Sequence, residues 1–210
     1  MERKLENYIS EHIDPEDTVL KELDRETNLT VSGARMLSGH LQGKVLSLLS
    51  QIMEPERILE IGTFTGYSAI CLARGLKENG KLITIEVDDE LQPIANKYFR
   101  MAGLQNKIDL IIGPALQILP TIEGPLDIIF MDADKREYPA YYDLVIDKLK
   151  KGGLLIADNT LWNGKVIEPA VKGDEQTRGI KKFNEMVMSD SRVQKVILPL
   201  RDGMTIIRKI

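Results

Sequence analysis

Residues 57–86 read RILEIGTFTGYSAICLARGLKENGKLITIE, and the fold turns on this stretch. Arg57-Ile58-Leu59-Glu60-Ile61 is a short, nearly continuous apolar run that stops at Gly62. Tyr67 to Leu76 carries a helical pattern, Asn79-Gly80 marks a turn, and Leu82-Ile83-Thr84-Ile85 is a second β-like run ending at Glu86. Strand, helix and strand within about 30 residues make a βαβ unit. Strands that are apolar throughout belong to a parallel sheet covered on both faces.

The alternation continues downstream. Ile108–Ile112 is stopped by Gly113-Pro114, Leu126–Met131 ends in Asp132, and Leu154–Ala157 ends in Asp158. Helical patterns cover Asp89 to Ala102, Pro139 to Leu149 and Glu175 to Met188. Val193–Leu198 and Met204–Ile207 flank Asp202-Gly203 and read as a hairpin. Upstream, Asp14-Pro15-Glu16-Asp17 is a helix start, with Asp14 as cap and Pro15 at the first helical position. Leu37, Leu41, Val45, Leu48, Leu49 and Ile52 recur at helical spacing as one apolar stripe, closed by Pro55. The expectation is an α/β protein with a doubly wound, mostly parallel sheet and an antiparallel C-terminal pair. Residues 1–210 form one domain in this reading, with 1–53 as a helical extension packed on its core.

Composition narrows the function. The 210 residues are 43% hydrophobic and 29% charged, as in ordinary globular proteins, with a net charge of −4. Nine acids against five bases in the first 35 residues carry that imbalance, so the remaining body is formally neutral and lacks the basic stripe of a nucleic-acid binder. One cysteine, Cys71, rules out an intrachain disulfide and suits a reducing compartment. The start, MERKLENYISEHIDPED, lacks the apolar segment of a secretory signal, and no run approaches a membrane span. A cytoplasmic protein is expected.

Ligands of open α/β sheets bind beyond the carboxyl ends of the strands. Here those ends carry Glu60 and Gly62, Glu86, Ala115, Asp132 to Lys135, and Asp158-Asn159. Gly62 and Gly66 allow a tight turn and close approach of a ligand, but Phe64 replaces the middle glycine of the dinucleotide fingerprint. The loop therefore suits a nucleoside without a pyrophosphate and argues against an NAD-dependent oxidoreductase. Glu86, 24 residues beyond Gly62, has the spacing of an acid that accepts from ribose hydroxyls. Asp132 and Asp158 end neighbouring strands in this reading, and Asn159 adds an amide oxygen. Such an all-oxygen set suits Mg²⁺, Mn²⁺ or Ca²⁺ rather than Zn²⁺. His12, His40 and Cys71 show no zinc-ligand spacing. Lys135, three residues beyond Asp132, is a candidate general base, because a neighbouring cation favours a neutral amine. Trp162 lies just past the metal candidates, where it can wall a pocket or anchor packing.

In this order, LEIGTFTGYSA (Leu59–Ala69), IIFMDADKREYPAYY (Ile128–Tyr142), GGLLIADNTLWNGKV (Gly152–Val166) and LRDGM (Leu200–Met204) resemble the cation-dependent catechol and caffeoyl-CoA O-methyltransferase family. This is a branch of the class I S-adenosylmethionine-dependent methyltransferases, and the resemblance covers residues 36 to 208. It implies a Rossmann-like, seven-stranded sheet with the last strand antiparallel. It implies S-adenosylmethionine at the Gly62 loop, with Glu60, Thr63, Ser68 and Asp132 nearby, Glu86 on the ribose and Ala115 beside the adenine. Met36 and Ser38 would close over the cofactor. Asp132, Asp158 and Asn159 match the metal ligands, with Mg²⁺ the expected ion. Lys135 matches the catalytic lysine, and Asp134 and Asn163 match positions near the substrate, with Trp162 added from its place in the loop as a substrate contact. Many members carry Asp where this chain has Glu86. The resemblance also implies a homodimer and an aromatic diol as the small-molecule acceptor, with a hydroxylated tRNA base as the alternative.

Overall fold

The computed structural model describes residues 3–169 and 171–210. Its helices are α1 (Arg3–His12), α2 (Thr18–Thr30), α3 (Gly39–Met53), α4 (Tyr67–Ala73), α5 (Gln92–Met101), α6 (Ala115–Ile118), α7 (Tyr138–Val145) and α8 (Glu175–Ser189). The strands are β1 (Arg57–Ile61), β2 (Lys81–Glu86), β3 (Ile108–Ile112), β4 (Leu126–Met131), β5 (Leu149–Asp158), β6 (Val193–Leu198) and β7 (Met204–Lys209). They form one seven-stranded sheet in the order β3-β2-β1-β4-β5-β7-β6. The first five pair in parallel, and β7 runs antiparallel between β5 and β6. This is the doubly wound arrangement expected from the apolar strands.

One apolar layer joins α2, α3, α4 and α5 to one face of the sheet through Leu23, Leu46, Ile70, Phe99 and Phe130. On the other face, α7 and α8 pack Tyr138, Tyr142, Ile180 and Phe183 against Ile129 and Leu155. Tyr138 and Tyr142 each meet Phe183 edge to face. Met1 and Glu2 of the expected N-terminal extension lie outside the described residues.

Three local expectations are corrected. The cap of α2 is Asp17, not Asp14, and its carboxylate accepts from the backbone N–H groups of Val19 and Leu20. Starting there turns Leu20 and Leu23 into the core. Asp14 instead pairs with Lys44, and its carbonyl oxygen lies 2.9 Å from His40 Nε2. The second correction concerns α3. Its buried residues are Gln42, Gly43, Leu46, Ser47 and Ser50, whereas Leu48 and Ile52 of the apolar stripe are 52% and 77% exposed. The reason is close helix packing against α4. A Cβ on Gly43 would lie 2.7 Å from Tyr67 and 2.9 Å from the Cys71 sulfur. At Gly43 only a glycine fits, so the buried face is centred on Gly43, Leu46 and Ser47, with Val45 and Leu49 at its side against the core. The third is the start of β5, which begins at Leu149 rather than Leu154, with a register shift against β4 and Gly152 at φ 82°. The helix before it ends at Val145, not Leu149.

The hairpin connection is longer than an Asp-Gly turn. Leu198 pairs with Met204, leaving a five-residue loop, 199–203, in which Arg201 (φ 49°) and Gly203 (φ 89°) are left-handed.

Just past α4, Gly75 packs closely on α3, where an added Cβ would sit 2.2 Å from the backbone of Ser50. Gly75→Ala is expected to destabilise the fold by about 1–3 kcal/mol through overpacking. A lower urea midpoint checks this, and an unchanged midpoint contradicts it.

Candidate active site

The parallel register places the site. Ile61 pairs with Ile85 on one side and Met131 on the other, and Met131 pairs with Ala157. The next residue on each strand is Glu86, Gly62, Asp132 and Asp158. Four sequence-remote residues thus end flush in one row, with strands about 4.8 Å apart. Asp132 N–H donates to the Ile61 carbonyl at 2.9 Å, and Gly62 N–H to the Ile85 carbonyl at 3.0 Å.

Gly62 is glycine for a reason the sequence reading misplaced. Its φ is 99°, and a Cβ there would lie 2.0 Å from the Asp132 carbonyl oxygen. The close approach is to the neighbouring strand end. Gly66 likewise faces Phe99, 2.6 Å from a Cβ. Phe64, at the position of the missing middle glycine, adopts φ 50° all the same. Its N–H donates to Glu86 Oε2 at 2.7 Å, while Glu86 Oε1 accepts from Val87 and Asp88 N–H at 2.9 and 3.0 Å. Glu86 therefore holds the first loop in its turn.

Behind this row lies Glu60, fully buried. Thr84 donates to its Oε2 at 2.5 Å, and Thr63 continues that chain with a 2.5 Å contact to Thr84. Among the described residues its Oε1 has no hydrogen-bond partner, although the Ser68 hydroxyl is near enough to pull on the carboxyl. Burial pushes the carboxyl up to about 8, against the pull of neighbouring hydroxyls. Ser68, in the first turn of α4, is buried close by in the sequence.

Asp132 and Lys135 form a partly buried pair, Nζ to Oδ1 at 2.8 Å. The Lys135 ammonium also donates to the Tyr138 hydroxyl at 2.7 Å. That hydroxyl donates its one proton to the Met131 carbonyl at 2.8 Å, with the Asp158 carbonyl 3.1 Å away as the alternative acceptor. Gly179 of α8 fixes the lysine's backbone, since a Cβ there would lie 2.2 Å from the Lys135 carbonyl. Asp158 is buried; burial first and Asp132 second push it up to about 6. Its Oδ2 accepts from Gln42 at 2.7 Å and its Oδ1 from Asn159 N–H at 2.8 Å. Asn159 is left-handed, φ 57°.

Asp132, Asp158 and Asn159 offer only oxygen donors, and the mutual repulsion of the two carboxylates is what a cation would relieve. The set fits a hard divalent ion. Among the described residues no group of three or more His, Cys, Asp and Glu gathers.

The remaining candidates stand at the rim. Asp134 is held by Arg136, whose Nε lies 2.9 Å from each carboxylate oxygen and keeps the group below its ordinary range. Trp162 packs in part against the α7–α8 layer, and left-handed Asn163 donates its N–H to Asp202. Ser38 is buried and Met36 is 56% exposed just before α3. Among the described residues no hydrogen bond ties Met36, Ala115 or Trp162 to the cluster. Gln42, Tyr138, Gly179 and Arg201 were missed as supports of the site. Tyr138 and Arg201 lie inside the quoted motifs, whereas Gln42 and Gly179 carry no local signal.

A family model described as O-methyltransferase matches residues 9–210. The catechol O-methyltransferase of Niastella koreensis is 37% identical over 206 residues, covering 93% of this chain and 90% of that protein. A probable caffeoyl-CoA O-methyltransferase of Dictyostelium discoideum is 33% identical over 209 residues, covering 97% and 90%. The crystal structure of the O-methyltransferase TomG from Streptomyces achromogenes, in complex with SAM, superposes with a TM-score of 0.92 at 31% identity, covering 100% of this chain and 99% of that one.

Glu60 sets a testable pH dependence. In the unfolded chain the carboxyl titrates near 4.5, and in the fold near 8. Between those values folding keeps a proton that the unfolded chain releases, so stability falls as pH rises, by about 1.4 kcal/mol per unit. Glu60→Gln is expected to remove that slope, so its melting temperature gains on the native chain between pH 5 and pH 8. Parallel curves for the two proteins would contradict the assignment.

Proposed function

The chain belongs to the O-methyltransferase family, and from that premise we propose that it transfers the methyl of S-adenosylmethionine to one hydroxyl of a vicinal aromatic diol, assisted by a divalent cation. The observation that carries the reading is the juxtaposition of Asp132 and Asp158 on adjacent strand ends, with Asn159 next to one and the Lys135 ammonium 2.8 Å from the other. The catechol and caffeoyl-CoA O-methyltransferases among the relatives support a phenolic acceptor.

Each residue has a definite task in this reading. S-adenosylmethionine, when bound, supplies a methyl group on a positively charged sulfur. Glu60 Oε1, buried and without a partner among the described residues, suits the ammonium of its amino-acid portion, and an acceptor left open in this way is costly unless a donor arrives. Glu86 faces the ribose, with Ala115 beside the adenine and Gly62, Thr63, Ser68, Met36, Ser38 and Asp132 around the rest. Asp132, Asp158 and Asn159 would hold the cation, Mg²⁺ or a similar hard ion, whose positive charge would make a neighbouring hydroxyl more acidic. A cation bound beside it would favour release of a proton from the Lys135 ammonium, and the resulting amine would take the proton of the reacting hydroxyl. The freed oxygen forms its new bond to the methyl carbon as the carbon–sulfur bond breaks, and the sulfur leaves as a neutral thioether. Tyr138 aims the lysine by fixing its Nζ between strand ends β4 and β5. Asp134, Trp162 and Asn163 border the acceptor. Among the described residues no helix is long and apolar enough to cross a membrane.

Labelled methyl transfer to caffeic acid with Mg²⁺, repeated with EDTA, tests the reaction class. Transfer abolished by EDTA is the expected result, and EDTA-resistant transfer contradicts the cation role. Lys135→Ala is expected to lower turnover by about 10²–10⁴-fold while cofactor binding, followed by calorimetry, stays unchanged. Native turnover in that variant removes the lysine from the mechanism.

A further inference from the structure

A two-step relay of hydrogen bonds ends on Asp158 and begins outside the donor set. Arg201 Nη1 donates to Gln42 Oε1 at 3.1 Å, and Gln42 Nε2 donates to Asp158 Oδ2 at 2.7 Å. Chemistry fixes the direction of this relay. A guanidinium has only donors, so the amide must turn its oxygen toward it and present its NH₂ to the carboxylate. Gln42 is 0% exposed, in the tight interface of α3. A buried amide there costs free energy unless both ends are satisfied, and here both are.

The relay is rigidly rooted at both ends. The Arg201 guanidinium also donates to the carbonyls of Leu37, at 2.8 Å, and Ser38, which precede α3. Arg201 keeps a left-handed backbone, φ 49°, a conformation unfavourable to a non-glycine residue. Its loop is pinned to the segment just after Asn159. Thr160 N–H donates to the Gly203 carbonyl at 3.0 Å and Leu161 N–H to the Asp202 carbonyl at 2.9 Å. A Cβ on Gly203 would lie 2.5 Å from Leu161. The backbone following the proposed metal ligands thus carries the arginine that reaches back, through Gln42, to orient one of them. Asp158 Oδ1 is held by Asn159 N–H. Each carboxylate oxygen therefore has one fixed donor and a lone pair left for a ligand.

We infer that Arg201 and Gln42 are positioning residues for the cation: Arg201 locks the Gln42 amide, and Gln42 locks the rotation of the Asp158 carboxylate. This rests on the cation reading of the site. Supports of this kind are worth about 10–100-fold in metal affinity. Mn²⁺ binding to the cofactor-free protein, followed by the electron paramagnetic resonance of the free ion, reads the effect without any turnover. Gln42→Met keeps the unbranched bulk within α3 and removes the donor. It is expected to weaken Mn²⁺ by about 10–100-fold. Arg201→Ala alters a residue largely at the surface, so it serves if the Gln42 variant does not fold, and it is expected to weaken Mn²⁺ in the same direction. The double variant should bind no more weakly than Gln42→Met alone, because the arginine acts through the glutamine. Native-like Mn²⁺ binding by Gln42→Met, or additive losses in the double variant, would overturn the relay while leaving the cation reading in place. A native chain that binds no Mn²⁺ overturns the cation reading and the relay with it.

Discussion

The in-register parallel pairing of β2, β1, β4 and β5 is the constraint on which the rest depends. It brings Glu86, Gly62, Asp132 and Asp158 to one row, although 96 positions separate the first and last in the chain. Strand side chains alternate faces, so a one-residue slip of β5 would carry Asp158 to the opposite side of the sheet, away from Gln42. The register is guarded by apolar side chains on both faces, which a slip would also misplace. Asp127 adds a polar lock at the other end, its carboxylate accepting from Glu56 and Arg57 N–H at 2.9 and 2.8 Å.

The row gathers negative charge where the sheet is driest. Glu60 and Asp158 are both pushed upward by burial, and Lys135 supplies the ammonium that sits against Asp132. A fold selected for stability alone would put apolar residues at Glu60 and Gln42. Glu60 keeps one acceptor oxygen open among the described residues, whereas the Gln42 amide is engaged at both ends, by Arg201 and by Asp158. The cost is borne by the two apolar layers, whose side chains are nearly all buried.

Much of this was legible in the chain because it is local. Apolar runs that each end in an acid or glycine spell out a parallel sheet and its ligand edge, and Lys135 lies three residues from Asp132. What escaped is long-range. The inward face of α3 is set by the bulk of Tyr67 and Cys71 on another helix, so only part of the hydrophobic stripe, Leu37, Val45 and Leu49, meets the core while Leu48 and Ile52 stay exposed. Asp14 and Asp17 are both competent caps, and the choice between them falls to the core that Leu20 and Leu23 enter. Gly62 shows a need for glycine, but only the neighbouring strand reveals that the Asp132 carbonyl imposes it. Arg201 and Gln42 meet across 159 positions, and no short motif encodes such a pair.

The single thiol of the chain lies at that same α3–α4 contact. Cys71 is buried, and burial pushes it up to about 12, so at neutral pH it holds its proton and offers no nucleophile. Its reactivity is therefore a property of motion rather than of the resting molecule. A thiol reagent meets it only when the two helices separate, and the rate of modification keeps time with that breathing. The chain carries a built-in clock for the opening of the layer that shelters Gln42 and, through it, Asp158.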